Sequence, residues 1–247
     1  IDDIAKTLGI PPLEYRNRFV MHQGYVDGFS KNENYYDTFR QVLEKGEAVL
    51  EYQKKYAQYQ NQTGPIRRGV GCAVFWYNTA VWPISLESSS CRMVLNQDGS
   101  IQVQTGETEI GQGCDTAYSQ MAADAVGIPV SDVHIVSTQD TDVTPFGLGA
   151  YASRQTYIGG FSIQQTGQLL KERILKYAQE LTRMPGANLD LIVGKIVRVP
   201  DGRVLMTLGD LATEALYSLT HSQHLTAEST AQIESNAHSF GCTFAEV

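Results

Sequence analysis

Cysteine is scarce. The 247 residues hold four, Cys72, Cys91, Cys114 and Cys242, far apart and never as a CxxC pair. That spacing excludes a zinc knuckle or an iron–sulfur cluster built from clustered ligands, and it suits reduced thiols in a cytosolic protein. Basic charge is scarce too. Nineteen Lys and Arg stand against 27 Asp and Glu, a net charge of −8, which argues against a nucleic-acid partner, whose phosphates call for a basic footprint. No apolar run approaches the roughly 20 residues of a membrane span. The chain opens on Ile1, Asp2 and Asp3, not on a basic and apolar leader, so no secretory signal is expected. There is no internal repeat and no low-complexity tract. These absences imply a cytoplasmic globular protein with neither membrane nor nucleic acid as partner, long enough for one large domain or two small ones.

What is present is organised around Gly106–Gly127, GETEIGQGCDTAYSQMAADAVG. Before it, Ile101 and Val103 alternate with polar residues as in a half-buried strand. After it, helix-compatible residues run from Cys114 to Val126, with Gly127 as the stop. The order is strand, glycine turn, helix. Free N–H groups at the start of such a helix favour an anion, usually a phosphate. Gln112, between Gly111 and Gly113, offers both a donor and an acceptor. A plain tight turn would use the same residues. A second small-residue turn, Gly147–Thr156 (GLGAYASRQT), also leads into a helix. It follows a strand-like run, VHIVST, and a loop, QDTDVTPF. Two such turns suggest two jaws on one extended phosphorylated cofactor.

Along the rest of the chain, Ile1, Ile4, Ala5 and Leu8 lie at helical spacing, with no cap before Ile1, so that helix is expected to begin upstream. Leu13–Val20 reads as a short helix after Pro11-Pro12. Tyr35–Gln60 reads as one long helix with Phe39, Val42, Leu43, Val49, Leu50 and Tyr52 on its apolar face, open to a kink at Gly46. Thr63-Gly64-Pro65 is a linker. Strands are expected over Val70–Trp82 and Ser85–Leu95, the latter forming a hairpin with Ile101–Thr105 through Asn96–Gly99. A long helix should run from Ser153 or Arg154 to Arg183. A hairpin-like pair, Leu189–Val193 and Lys195–Val199, follows. The helix Thr207–Tyr217 has capping-box spacing between Thr207 and Asp210. Strands Leu225–Glu234 and His238–Val247 close the chain. Hairpins and a mixed sheet packed on long helices make the class α+β. The expected division is a helical segment over 1–64 and an α+β domain over 65–247, incomplete at its C-terminal end.

Of the titratable groups, His221 and His224 are three apart but lack a third ligand, and His134 alternates within a strand, so no metal site is expected. Cys114 beside the glycine turn reads as a small packing residue, although a helix N-terminus can lower a thiol pKa. In a strand Glu107 and Glu109 would point the same way. They read either as a coupled carboxylate pair or as residues that shape the turn. Asp140 and Asp142 repeat that spacing. Arg154, a lone arginine among small residues at a loop-to-helix join, suits a fork onto phosphate or carboxylate. A structural ion pair is the competing role.

TEIGQG with its helix, then DTDVTPF and ASRQT at this separation, resembles the molybdenum-binding subunit of bacterial xanthine dehydrogenase, within the molybdenum hydroxylase family. IDDIAKTLGIPPLEYRNRF is similar to that family's IDxIAxxLGxDPxExRxxN segment, and FGCTFAEV resembles the strand entering the last part of the same subunit. The resemblance implies part of a molybdopterin-binding domain. It implies Gly111, Gln112, Gly113, Ala150, Tyr151, Ala152, Ser153, Arg154, Gln155 and Thr156 at the cofactor, with Gly111–Gly113 on its phosphate end. Tyr151 departs from the smaller residue usual there. The implied cofactor is molybdopterin, either bare or as the cytosine dinucleotide. The implied partners are iron–sulfur and FAD subunits or domains carrying 2Fe–2S clusters and FAD. The implied reaction oxidises a purine such as hypoxanthine or xanthine, with water as oxygen source. Other N-heterocycles and aldehydes stay open, as does a non-catalytic binding or assembly module. Relatives carry a glutamate base in a GEP motif, and FGGGFG and arginine-bearing RG segments. Neither GEP nor FGGGFG occurs here, and no match to the arginine-bearing segment is assigned, so no catalytic residue is assigned and the piece alone is expected to be inactive.

Overall fold

The computed structural model describes residues 1–136 and 140–247. The end of the strand-like run expected over 133–138, and the start of the loop after it, fall outside the described residues. In chain order the elements are α1 (Asp2–Thr7), α2 (Pro12–Phe19), α3 (Thr38–Leu50), α4 (Tyr52–Tyr59), β1 (Val70–Thr79), β2 (Glu87–Leu95) and β3 (Ile101–Thr105). Then come α5 (Cys114–Val126), β4 (Val133–Val136), a π-helical turn (Gln155–Gly159), α6 (Gly160–Thr182), β5 (Leu189–Ile192) and β6 (Lys195–Arg198). The chain closes with β7 (Arg203–Thr207), α7 (Leu208–Tyr217), β8 (Thr226–Ile233) and β9 (Ala237–Glu246). Helices and a mixed sheet place the chain in the α+β class. Among the described residues no helix is long and apolar enough to cross a membrane.

The chain divides into two compact units, Ile1–Thr79 with Ser235–Val247, and Ala80–Glu234. This differs from a single cut at residue 64. The reason is strand pairing. β9 returns from the far end of the chain to pair antiparallel with β1, from Val70 opposite Glu246 to Thr79 opposite Ala237.

In the first unit, α3 and α4 lie on this two-stranded sheet. Phe39 stacks on Phe240 with ring centroids 5.2 Å apart, and Tyr52 meets Phe244 edge-on at 5.5 Å. The single helix expected over Tyr35–Gln60 is two helices. The break is at Glu51, in the left-handed region with φ 53°, and not at Gly46. It turns Tyr52 inward and leaves Val49 exposed. Gly46 serves packing instead. A Cβ there would lie 2.3 Å from the Phe244 ring, so only glycine lets the ring rest on the helix.

In the second unit the sheet order is β4-β3-β2-β8. β2 and β3 form the expected hairpin, Cys91 opposite Thr105 and Leu95 opposite Ile101. β4 runs parallel to β3, as the α5 crossover between them requires. Period-two alternation sends Cys91, Met93, Ile101, Val103 and Ala227 to one face, where Tyr118, Ala122, Val126, Ile163, Leu170 and Ile174 of α5 and α6 bury them. Each large side chain so buried contributes about 1.5–3 kcal/mol. Helix α5 has the bounds the sequence implies and ends on left-handed Gly127. The long helix expected from Ser153 or Arg154 begins as the π-helical turn and becomes α-helical at Gly160. The capping box forms. Thr207 Oγ1 accepts from Asp210 N–H, and Asp210 Oδ2 accepts from Thr207 N–H, both at 3.1 Å. The strand β7 was not expected. Arg203–Met206 shows little alternation, and its strand state comes from pairing with β6.

Candidate functional site

The glycine turn leaves β3 at Thr105 and enters α5 at Cys114. Gly111 and Gly113 have φ of 99° and 85°, left-handed values that glycine adopts without strain. The donors at this helix start are not free. Glu109 Oε1 accepts from Gly111 N–H at 2.7 Å and from Gly113 N–H at 3.0 Å, and Oε2 accepts from Asp115 N–H at 3.1 Å. Those backbone donors, Gly113 first, pull the Glu109 carboxyl down to about 2. The expectation of an open anion site is therefore corrected. An internal carboxylate already fills the helix N-terminus, and a phosphate there would face an ionised glutamate.

Gln112 is folded into the same turn. Its Oε1 accepts from Ile110 N–H at 2.7 Å. Its Nε2 donates to Thr108 O and to Gln155 Oε1. Gln155 Nε2 also donates to Thr108 O, at 2.8 Å, and Tyr118 Oη donates to Gln155 O at 3.1 Å. Burial, and then the Glu107 charge, push the Tyr118 hydroxyl well above its ordinary range, so it remains a donor.

The second turn is brought alongside by backbone contact. A Cβ on Gly106 would lie 2.2 Å from Pro145 O and 2.5 Å from Gly147 N, and Ser90 N–H donates to Phe146 O at 2.8 Å. Arg154 then anchors the turn from beneath. Its guanidinium is fully buried. Nε donates to Glu87 Oε2 at 2.8 Å, and Nη1 to both Glu107 oxygens at 2.8 and 2.9 Å. Nη2 donates to Ser88 O at 2.6 Å and Nη1 to Gly149 O at 3.3 Å. Burial opposes its charge, but Glu87 and Glu107 outweigh burial and hold its pKa above the usual arginine range. The carboxylates expected around Arg154 thus belong to the protein itself, as Glu87 and Glu107. The Tyr151 ring lies over this guanidinium, 5.5 Å from Cζ to centroid.

Between the two turns lies a cleft of about 330 Å³, lined by Ile110, Gln112, Gly113, Cys114 and Ala117 on one side and by Ala150–Thr156 on the other. Nine of the ten residues expected at the site line it. Gly111 is the exception. Ile110, Cys114 and Ala117 were not anticipated, although each sits within one helical turn of the GQG motif. The carboxylate pair does not form. β3 ends at Thr105, Glu107 turns inward to Arg154, and Glu109 turns back on the helix start. Burial, then the Asp115 and Glu109 charges, push the Cys114 thiol up to about 12, consistent with packing and not with reactivity. Asp140 Oδ1 accepts from Asp142 N–H, a local turn bond at 2.9 Å. His134, His221 and His224 are exposed and apart from the cleft.

The chain is 45% identical, over its whole length and 33% of the relative's, to the xanthine dehydrogenase molybdenum-binding subunit of Escherichia coli. Quinoline 2-oxidoreductase from Pseudomonas putida 86 shares the fold with a TM-score of 0.74 at 23% identity, over 100% of this chain and 33% of that one. Carbon monoxide dehydrogenase from Oligotropha carboxidovorans does so with a TM-score of 0.75 at 20% identity, over 98% and 32%. The chain thus spans about a third of the relatives it matches. Residues 45–247 match the molybdopterin cofactor-binding domain, and the chain belongs to that family.

Proposed function

We propose that this cleft holds the uncharged part of a molybdopterin cofactor, and that the whole protein is a xanthine dehydrogenase-like hydroxylase. The observation that carries the reading is the cleft itself. Two stretches roughly 40 residues apart in sequence form its two walls, and half of the lining residues are glycine, alanine, serine or cysteine. Its volume falls in the range of small-molecule sites, and small walls permit close approach to a flat ring system. Glu109 already satisfies the helix N-terminus, so the phosphate end of the cofactor belongs elsewhere. When bound, molybdenum would supply the redox centre for oxidising a substrate carbon, with water as the oxygen source.

This chain's own residues hold and orient. Ile110, Gln112 and Gly113 form one wall, and Ala150–Thr156 form the other. Gln112 and Gln155 link the two across the cleft. Neither cleft-side glutamate is placed to take a proton from substrate, since Glu107 is committed to Arg154 and Glu109 to the helix start. Neither is assigned as the general base. The 45% identity to a xanthine dehydrogenase subunit supports a purine substrate, and with that reading we propose partners bearing 2Fe–2S clusters and FAD and a cytoplasmic location.

The test is Ala117→Leu in the full-length protein. Ala117 sits on α5 with its side chain at the cleft, so leucine fills the space without demanding an unusual backbone. Molybdenum per polypeptide, measured by mass spectrometry, should fall at least severalfold with the melting temperature nearly unchanged. Normal molybdenum content would count against the cleft as the cofactor site.

A further inference from the structure

We infer that Arg154 is a positioning residue that fixes the shape of the second cleft wall through two adjacent left-handed residues, Ala152 and Ser153. Their φ values are 47° and 52°. Neither is glycine, and a side chain opposes this conformation. Two such residues in succession persist only where their surroundings impose them. The restraint lies directly after them. The guanidinium spans three separate segments, reaching Glu87 and Ser88 on β2, Glu107 beyond β3, and Gly149 at the start of its own turn. Arg154 and both glutamates are buried. Glu87 is itself tied down, its Oε1 accepting from Val81 N–H at 2.9 Å. Two further bonds depend on the strained pair. Ala80 N–H donates to Ala152 O at 2.8 Å, and Arg154 N–H donates to Tyr151 O at 3.1 Å. The buried side chain of Arg154 thus holds the turn whose residues Ala150–Thr156 line the cleft.

Lysine cannot reproduce this. It carries one cationic point in place of a planar fork, so it can satisfy Glu107 or Glu87 but not both together with Ser88 O. The inference rests on the proposed cofactor cleft, and the experiment separates the two. Arg154→Lys is made in the full-length protein, and amide hydrogen exchange is followed by mass spectrometry. Exchange should accelerate at least tenfold in peptides covering 149–156 and at Ala80, while α5 and α6 change less than twofold. Unchanged exchange at 149–156, or acceleration spread evenly over α5 and α6, would overturn the positioning role. Should Arg154→Lys not fold, Glu87→Gln is read instead, because it leaves the guanidinium paired with Glu107. The same local acceleration, about threefold, is then expected, and its absence overturns the inference. Molybdenum content is measured on the same samples. A loosened 149–156 segment with undiminished molybdenum leaves the clamp standing and counts against the cleft as the cofactor site.

Discussion

The two walls of the cleft use opposite charge to solve one problem. Each is an irregular turn whose backbone polar groups need partners. In the glycine turn a half-buried carboxylate, Glu109, gathers three backbone N–H groups. In the second turn a buried guanidinium, Arg154, gathers two carboxylates and two carbonyls. The first wall can use glycine where φ is positive, so its carboxylate only completes the hydrogen bonding. The second wall uses alanine and serine at positive φ, and there the charged group must also hold the backbone. Burial sets the difference in consequence. A half-buried cap is still screened by water, whereas a fully buried cation leaves its partners stranded when removed.

The largest break in this comparison is Arg154→Met. Methionine fills much of the volume but leaves Glu87 and Glu107 buried without a cation, and breaking a buried pair in this way costs about 3–5 kcal/mol. Chemical denaturation should show a loss of that size, and a loss under 1 kcal/mol would mean that water or proton uptake rescues the carboxylates. Next comes the seam where the walls meet. Gly106→Ala places a Cβ against Pro145 O and Gly147 N, and neither backbone atom can swing aside. A cost of about 1–3 kcal/mol is expected, again by denaturation, with exchange accelerating at residues 145–147.

The smallest effect is expected at the Glu109 cap. Glu109→Gln keeps the shape and loses the charge, so the melting temperature at neutral pH should fall only slightly. Its pH dependence is sharper. The Glu109 pKa in the folded protein is depressed to about 2 from 4.5, so its stabilisation is fully present above pH 4.5 and is lost as pH falls through 2. The gap between wild type and Glu109→Gln should therefore close across that window. A gap that stays constant from pH 5 to pH 2 would show that the carboxylate is not the group titrating.

Much of this protein was legible in its residues. Alternation at Ile101–Thr105 and the glycines at 113 and 127 bound β3 and α5 locally, because strand period and left-handed caps are properties of the nearest few residues. GQG and ASRQT marked both walls through small side chains beside positive-φ positions. Three features were legible only in space. The helix break at Glu51 depends on Tyr52 and Phe244, nearly 200 residues apart in sequence. The strand β7 exists because β6 offers it hydrogen bonds. The role of Arg154 depends on Glu87 and Glu107, which the chain delivers from 67 and 47 residues away. By itself the sequence determined which turns are small, flexible and flanked by regular structure. Only the tertiary structure decided which charged groups meet beneath them, because ion pairing follows distance in space, and burial decides whether a charge serves a ligand or the fold.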